Sequence, residues 1–402
     1  QFVAVTGAIT ALMAAIIAVT QMDIKAVLAY STISQLGYMV MALGVGAHQA
    51  GFFHLVTHAM FKACLFLCSG SVIHAMHHSL HELHDHETDP QDMGNMGGLK
   101  SKMPITYTAM LVATLAISGV PFFSGFLSKD AVLAGTLAYY HSYHGWTIIL
   151  PLAGFGAAMI TAFYMFRLIF KTFHGKPANS KIFEHIHESN FFMTIPLIIL
   201  TILSFAFVFT FPSINPLEGY GWFSSAVGKV KHVAGLDMYY VKEQIHHAHY
   251  QAMYTSLVVA TIGIMLSALF YLFNKVNVNS ITKSVNMFKL YDLSYNKFYI
   301  DCIYSKFLYK PFMCFSKFAS KVDWDLYDQK FIDSFGWITL KLSDKSEYAD
   351  YTWLDQKLID GFGRLSSWFG SCLRRSQGGV LQNYLMAGIV GIVTLLFIFQ
   401  QL

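Results

Sequence analysis

The chain has 402 residues, of which 55% are hydrophobic and only 12% charged, about half the charged share of a soluble domain. Its net charge of +4 is small and its basic residues lie in polar gaps, not in one patch, which argues against nucleic acid as a partner. Five cysteines give no disulfide framework, and Cys64 and Cys68, inside an apolar run, read as small packing residues.

Eight apolar stretches are long enough to cross a bilayer: 2–20, 26–46, 51–75, 104–138, 146–172, 191–212, 252–274 and 380–400. In hydrocarbon only a helix satisfies its own backbone, so the predicted fold is an all-α polytopic membrane protein with about eight transmembrane helices. The chain opens on Gln1 already within an apolar run, which predicts a natural N-terminus upstream.

Alternate gaps carry Lys25, then Lys100 and Lys102, then Arg167, Lys171, Lys176 and Lys181, and finally Arg374 and Arg375. Gaps 45–50 and 139–145 carry none, and Lys229, Lys231 and Lys242 are offset by Glu218, Asp237 and Glu243. The positive-inside rule puts the basic gaps on the cytoplasmic or matrix side and the C-terminus opposite.

The second span is polar for its setting, with YSTISQLGY supplying Ser31, Thr32, Ser34, Gln35 and Tyr38. The third carries His54, His58 and Lys62 four residues apart. Each step rotates about 40°, so the three share a face, and each rises about 6 Å. That is too far for direct proton transfer; water or neighbours such as Thr57 and the second span would have to bridge. Lysine suits proton traffic because desolvation disfavours its charged form and a nearby acid favours it. Histidine titrates near neutrality. A metal reading fails, because HLVTH lacks the glutamate of HExxH and Lys62 would repel a cation. The tract IHAMHHSLHELHDHETD, with His74, His77, His78, His81, His84 and His86, could chelate on composition but reads as a solvated loop.

In the fourth span, AISGVPFFSGFLSKD sets Gly119, Pro121 and Gly125 within seven residues, which predicts a broken helix. Lys62, Lys129 and Asp130 are the charged residues well inside proposed spans. A charge at the bilayer centre costs about 2.5–3.5 kcal/mol on insertion scales, so an ion path is the usual reason to keep one. Residues 275–379 hold 15 of the 27 Lys and Arg and 11 of the 23 acids at near-helical spacing among aromatics, so they read as a long amphipathic helix too charged to span. Pro311 is expected to kink or restart it.

Together DIKAVLAYSTISQLGYM (23–39), HLVTHAMFKACLFLCSGSVIH (54–74), QDMGNMGGL (91–99) and GVPFFSGFLSKD (119–130) resemble the antiporter-like membrane subunits of respiratory complex I. That family also takes in Mrp-type cation/proton antiporter subunits and membrane subunits of energy-converting hydrogenases. The amphipathic segment, with LRRSQGGVLQNYL (373–385) leading into a last helix, is similar to the lateral helix of the distal member. The resemblance implies two inverted repeats, of which this chain would hold the second at 1–174, two further helices within 175–274, the lateral helix at 275–379 and an anchor at 380–402. It also implies a proton path in which Lys129 matches the broken-helix lysine, Asp130 its partner in the KD pair, His54, His58 and Lys62 the connecting residues, and Lys25 the DIK lysine. Gly94 stands where the family often has arginine.

The implied function is a proton-translocating subunit of an NADH:quinone oxidoreductase, a translocase with no redox centre of its own. NADH, FMN, iron–sulfur clusters and quinone would belong to partner subunits, other membrane subunits would be met in part through the lateral helix, and lipid would surround the rest. The expected site is a bacterial inner membrane or, alternatively, the mitochondrial inner membrane. The rivals are a sodium/proton antiporter or hydrogenase subunit, and an assembly scaffold whose buried charges only hold helices together.

Overall fold

Small residues at helical spacing decide how the chain begins to fold. The computed structural model describes residues 1–212, 214–215, 221–227, 238–276, 278, 282, 286, 289–376 and 378–401. Helices α1 (Phe2–Thr20) and α2 (Ile24–Gly44) pack backbone to backbone. A Cβ on Gly37 would stand 2.5 Å from the Ala11 nitrogen, and one on Gly7 2.3 Å from that of Met41. Lipid gives helices little hydrophobic drive to associate, so close approach through small residues supplies the contact. Asp23 caps α2, its carboxylate accepting from the amides of Lys25 (2.7 Å) and Ala26 (3.1 Å). The loop of the QDMGNMGGL motif docks on this cap, with Met93 N donating to Met22 O and Ile24 N to Gln91 O, both at 3.0 Å.

Helix α3 (His48–Glu82) has 35 residues. At 1.5 Å per residue it is about 50 Å long, more than the ~30 Å of hydrocarbon needs. This corrects the histidine tract: His74, His77, His78 and His81 lie on the helix, and only His84 and His86 fall in the loop beyond it. That loop is tied by Asp85, which accepts from Thr88 Oγ1 at 2.7 Å and from the amides of Thr88 and Glu87. The Thr88 hydroxyl, then the amides, hold the Asp85 carboxyl below the usual carboxylate range.

The fourth predicted span is two helices, α4 (Pro104–Ser118) and α5 (Ser124–Tyr143). Gly119 ends α4 at φ 77°, Pro121 lies in the break, and Phe122 also takes a left-handed φ of 77°. Gly125 acts otherwise than expected. It is already inside α5, where a Cβ would fall 1.9 Å from the Ala116 carbonyl oxygen, so it permits a backbone crossing. After α6 (Ile149–Phe173) and α7 (Ser180–His185), the sixth predicted span is interrupted too, as α8 (Phe191–Leu203) and a short α9 (Phe207–Thr210). The two interruptions satisfy each other: Ser124 N donates to Ser204 O and Ala206 N to Phe122 O, both at 2.9 Å. Backbone freed at membrane depth needs such a partner.

Past α10 (Trp222–Val227), helix α11 (Met238–Ser267) continues as a π-helical turn over Ala268–Leu272, so it starts well before the expected residue 252. Central α3 packs against α2, α4, α5 and α8, while α11 covers α5 and α6. The short α12 (Leu290–Tyr295) ties to α1 through Ser294, which pairs with Thr20 Oγ1 at 3.0 Å and donates to Ile16 O at 2.9 Å.

Residues 301–402 form a second compact unit. In it α13 (residues 301–376) runs continuously, with wide π turns at Ser305–Tyr309, Val322–Ile332 and Asp350–Ile359, and α14 (Leu381–Gln401) follows. Pro311 neither ends nor restarts α13. It follows the first wide turn, where Lys310 N–H reaches back to Ser305 O, and a widened turn makes room for the ring. Among the described residues six helices are long and apolar enough to cross a membrane, with α4 and α8 as shorter apolar helices, which is the polytopic fold expected.

Gly37→Leu should prevent the α1–α2 contact and cost about 1–3 kcal/mol or more by overpacking. Gly70→Ala, which meets nothing within 4 Å, should be neutral. Thermal unfolding of the detergent-solubilised protein checks the pair, and equal midpoints would remove the packing argument.

Candidate functional site

Three helices converge on the inner face of α3, where His54 (1% exposed), His58 (6%) and Lys62 (5%) are buried. From α2 the helical period selects Ser31, Gln35 and Tyr38, all buried at i, i+4 and i+7. Lys62 Nζ donates to Ser31 Oγ. The Tyr164 hydroxyl, from α6, donates to Thr161 Oγ1 at 3.4 Å. His54 is held at both ring nitrogens, Nε2 by Gln35 Oε1 at 3.0 Å and Nδ1 by Ser128 Oγ at 2.9 Å. The amide oxygen facing Nε2 assigns the proton to that nitrogen. Ser128 also pairs with Thr57 Oγ1 at 2.7 Å. The His54 and His58 ring centroids are 6.0 Å apart.

Lys129 (3% exposed) follows Ser128 on α5 and turns toward the break. Its Nζ donates to Ile117 O at 3.3 Å, a carbonyl of the last turn of α4, and lies 5.3 Å from the centroid of the Tyr38 ring. The Tyr38 hydroxyl donates to Gly154 O of α6. A helix C-terminus presents unpaired carbonyls and the negative end of the helix dipole, so the interruption of α4 offers the ammonium a negative partner.

Asp130 (2% exposed) looks the other way, to α11. Ser256 Oγ donates to its Oδ1 at 3.2 Å, and His249 Nδ1 lies 3.2 Å from its Oδ2. Among the described residues no ion pair joins Lys129 to Asp130. They meet instead at a small cavity lined by Ser118, Gly119, Lys129, Asp130, Ala158 and Ser256, with room for about one water molecule.

Other expected residues stand apart. Lys25 is exposed at the start of α2, roughly 9 Å along the helix from Ser31. Ser34 donates to Ala11 O of α1 and Thr32 to Leu28 O of its own helix. Sequence reasoning missed Ser128, Tyr164, Ser256 and His249. Ser128 and Tyr164 were hidden in apolar runs, and His249 precedes the hydropathy onset that set the span at 252. In the histidine tract, Glu82 meets His78 Nδ1 at 3.5 Å and His185 Nδ1 at 2.8 Å. Among the described residues no group of three or more His, Cys, Asp or Glu side chains is arranged to hold a metal.

A broken helix, buried lysines on either side of a histidine pair and a membrane-spanning bundle make up a polytopic, antiporter-like membrane fold. Residues 1–161 match the family described as NADH:quinone oxidoreductase/Mrp antiporter, transmembrane. The chain is 36% identical over 349 residues to NADH-quinone oxidoreductase subunit L of Rickettsia felis, covering 84% of this chain and 49% of that protein. It is 37% identical over 390 residues to NAD(P)H-quinone oxidoreductase chain 5 of Synechocystis sp., covering 87% and 53%. Among solved structures it is similar to the membrane-bound sulfane sulfur reductase, an archaeal respiratory membrane complex (TM-score 0.50, 21% identity, 86% of this chain and 56% of that one), a likeness of fold. The chain is a homologue of the subunit L and chain 5 proteins. It spans about half the length of the curated relatives it matches.

Ser128→Ala would leave buried His54 Nδ1 without its partner, at about 1–3 kcal/mol. The expected result is a lower unfolding midpoint in detergent; an unchanged midpoint would show that the Ser128 bridge contributes nothing.

Proposed function

We propose that this chain is a proton-translocating membrane subunit of an NADH:quinone oxidoreductase, seated in a bacterial inner membrane and driven by redox chemistry in partner subunits that carry FMN, iron–sulfur clusters and quinone. The observation that carries the reading is the placement of Lys129 at the broken helix, beside the Ser128 that holds His54. Kinship with subunit L and chain 5 supports the same reading.

In this reading a proton moves along the α3 face, from Lys62 past His58 to His54, and on to Lys129. Ser31, Gln35, Thr57 and Ser128 orient the carriers, with water completing the longer steps. Lys129 holds the arriving proton as an ammonium against the Ile117 carbonyl and the Tyr38 ring. A change of charge elsewhere in the complex alters how well each lysine holds its proton, and so moves it. The long α13 and the anchor α14 are proposed to dock this subunit against its membrane neighbours.

Lys129→Ala removes the carrier at the break. The complex should still assemble, while protons translocated per electron in sealed vesicles fall by most of this subunit's share. An unchanged ratio would sink the role. Sodium-dependent proton flux without a redox substrate would instead favour a cation/proton antiporter, and loss of assembly alone a scaffold.

A further inference from the structure

Among the described residues Asp130 is the one buried carboxylate, and its nearest polar partners lie on α11, not on Lys129. From the geometry we infer that His249 is the terminal proton carrier of this subunit, taking the proton from Asp130 and releasing it on the side opposite the Lys/Arg-rich gaps. The inference rests on the proton-translocating reading given above.

Four observations converge. His249 Nδ1 stands 3.2 Å from Asp130 Oδ2, within reach of a proton transfer although the pair is not aligned as a hydrogen bond. Burial is graded along the pair, the aspartate side chain being 2% exposed and the histidine 27%. The cavity lined by both Lys129 and Asp130 has room for about one water, although the two form no ion pair. Finally, His249 lies within the polar stretch EQIHHAHYQ (243–251), ahead of the mostly apolar run from Ala252. Helix α5 runs from the break toward gap 139–145, which has no Lys or Arg, and α11 begins at the same side, so the pair faces the outlet.

The transfers balance as follows. The Lys129 ammonium loses a proton through one water to the Asp130 carboxylate, which becomes a carboxylic acid. With the carboxylate facing it, neutral His249 rests with its proton on Nδ1. Once Asp130 is the acid, that proton moves to Nε2 by tautomer exchange. The acid's O–H bond then breaks as a new N–H forms at the freed Nδ1. The imidazolium releases its Nε2 proton to outlet water, which restores the resting tautomer. Ser256 positions the acceptor by donating to the other carboxylate oxygen.

The test uses the assembled complex in sealed vesicles, reading protons translocated per electron. His249→Ala should lower this subunit's contribution at least fivefold, and His249→Gln should do so equally, since an amide can hydrogen-bond but cannot relay. Millimolar imidazole on the outlet face should restore His249→Ala, and His247→Ala, on the other side of α11 and exposed, should match the parent. Full pumping by His249→Ala, or restoration by glutamine as good as histidine, would overturn the relay while a defective Lys129→Ala left the broader reading standing. Normal pumping by Lys129→Ala would overturn that broader reading itself. If His249→Ala fails to assemble, His249→Gln alone decides: normal pumping refutes the relay and loss supports it.

Discussion

An ammonium cannot stay in a membrane-spanning bundle without something negative to face, and in this protein the end of a helix supplies it. Lys129 donates to Ile117 O, in the final turn of α4, where the carbonyls run out of intrahelical donors. A carboxylate in the same place would bind the ammonium more strongly. A helix terminus offers about half an elementary charge, enough to hold a cation without locking it. The interruption at 119–123 is therefore part of the charge chemistry as much as of the fold.

Much of the surrounding packing exists to make that interruption affordable. Breaking α4 from α5 exposes backbone groups that lipid cannot satisfy, and a second interruption, between α8 and α9, accepts and returns the hydrogen bonds. Gly125 lets α5 start against Ala116 O, where any side chain would force the two half-helices apart. The adjacency of Ser128, Lys129 and Asp130 then sends three polar groups to three destinations: His54 on α3, the α4 terminus, and Ser256 with His249 on α11. Successive residues on a helix diverge by 100°, so one short run can serve three partners.

The sequence made the spans, the break and the common face of His54, His58 and Lys62 legible, because each follows from hydropathy, Gly/Pro content or the 3.6-residue period. It did not reveal which of five polar residues on α2 face inward, since Ser34 is as polar as Ser31 yet bonds back to Ala11. Nor did it reveal the second interruption, because FFMTIPLIILTILSFAFVFT is apolar throughout and breaks only where Ser204 and Ala206 answer α5. His249 was invisible for a different reason. Hydropathy marks where a helix becomes apolar, and α11 starts about four turns before that point. Long-range pairing, not local pattern, carries each of these.

The buried axis is well bonded at its stations and under-bonded at its joints. His54 is held on both nitrogens and Lys62 by Ser31, but His58 Nε2 and Gln35 Nε2, lying between them, are buried with no side-chain or backbone partner. Each such atom costs about 1–3 kcal/mol relative to a satisfied one. A fully satisfied network of buried polar groups is rigid, and moving a proton through it breaks bonds that must be remade. In the proton path proposed above, His58 Nε2 and Gln35 Nε2 mark where water would complete the longer steps, because the side chains around them leave hydrogen bonds still to be made.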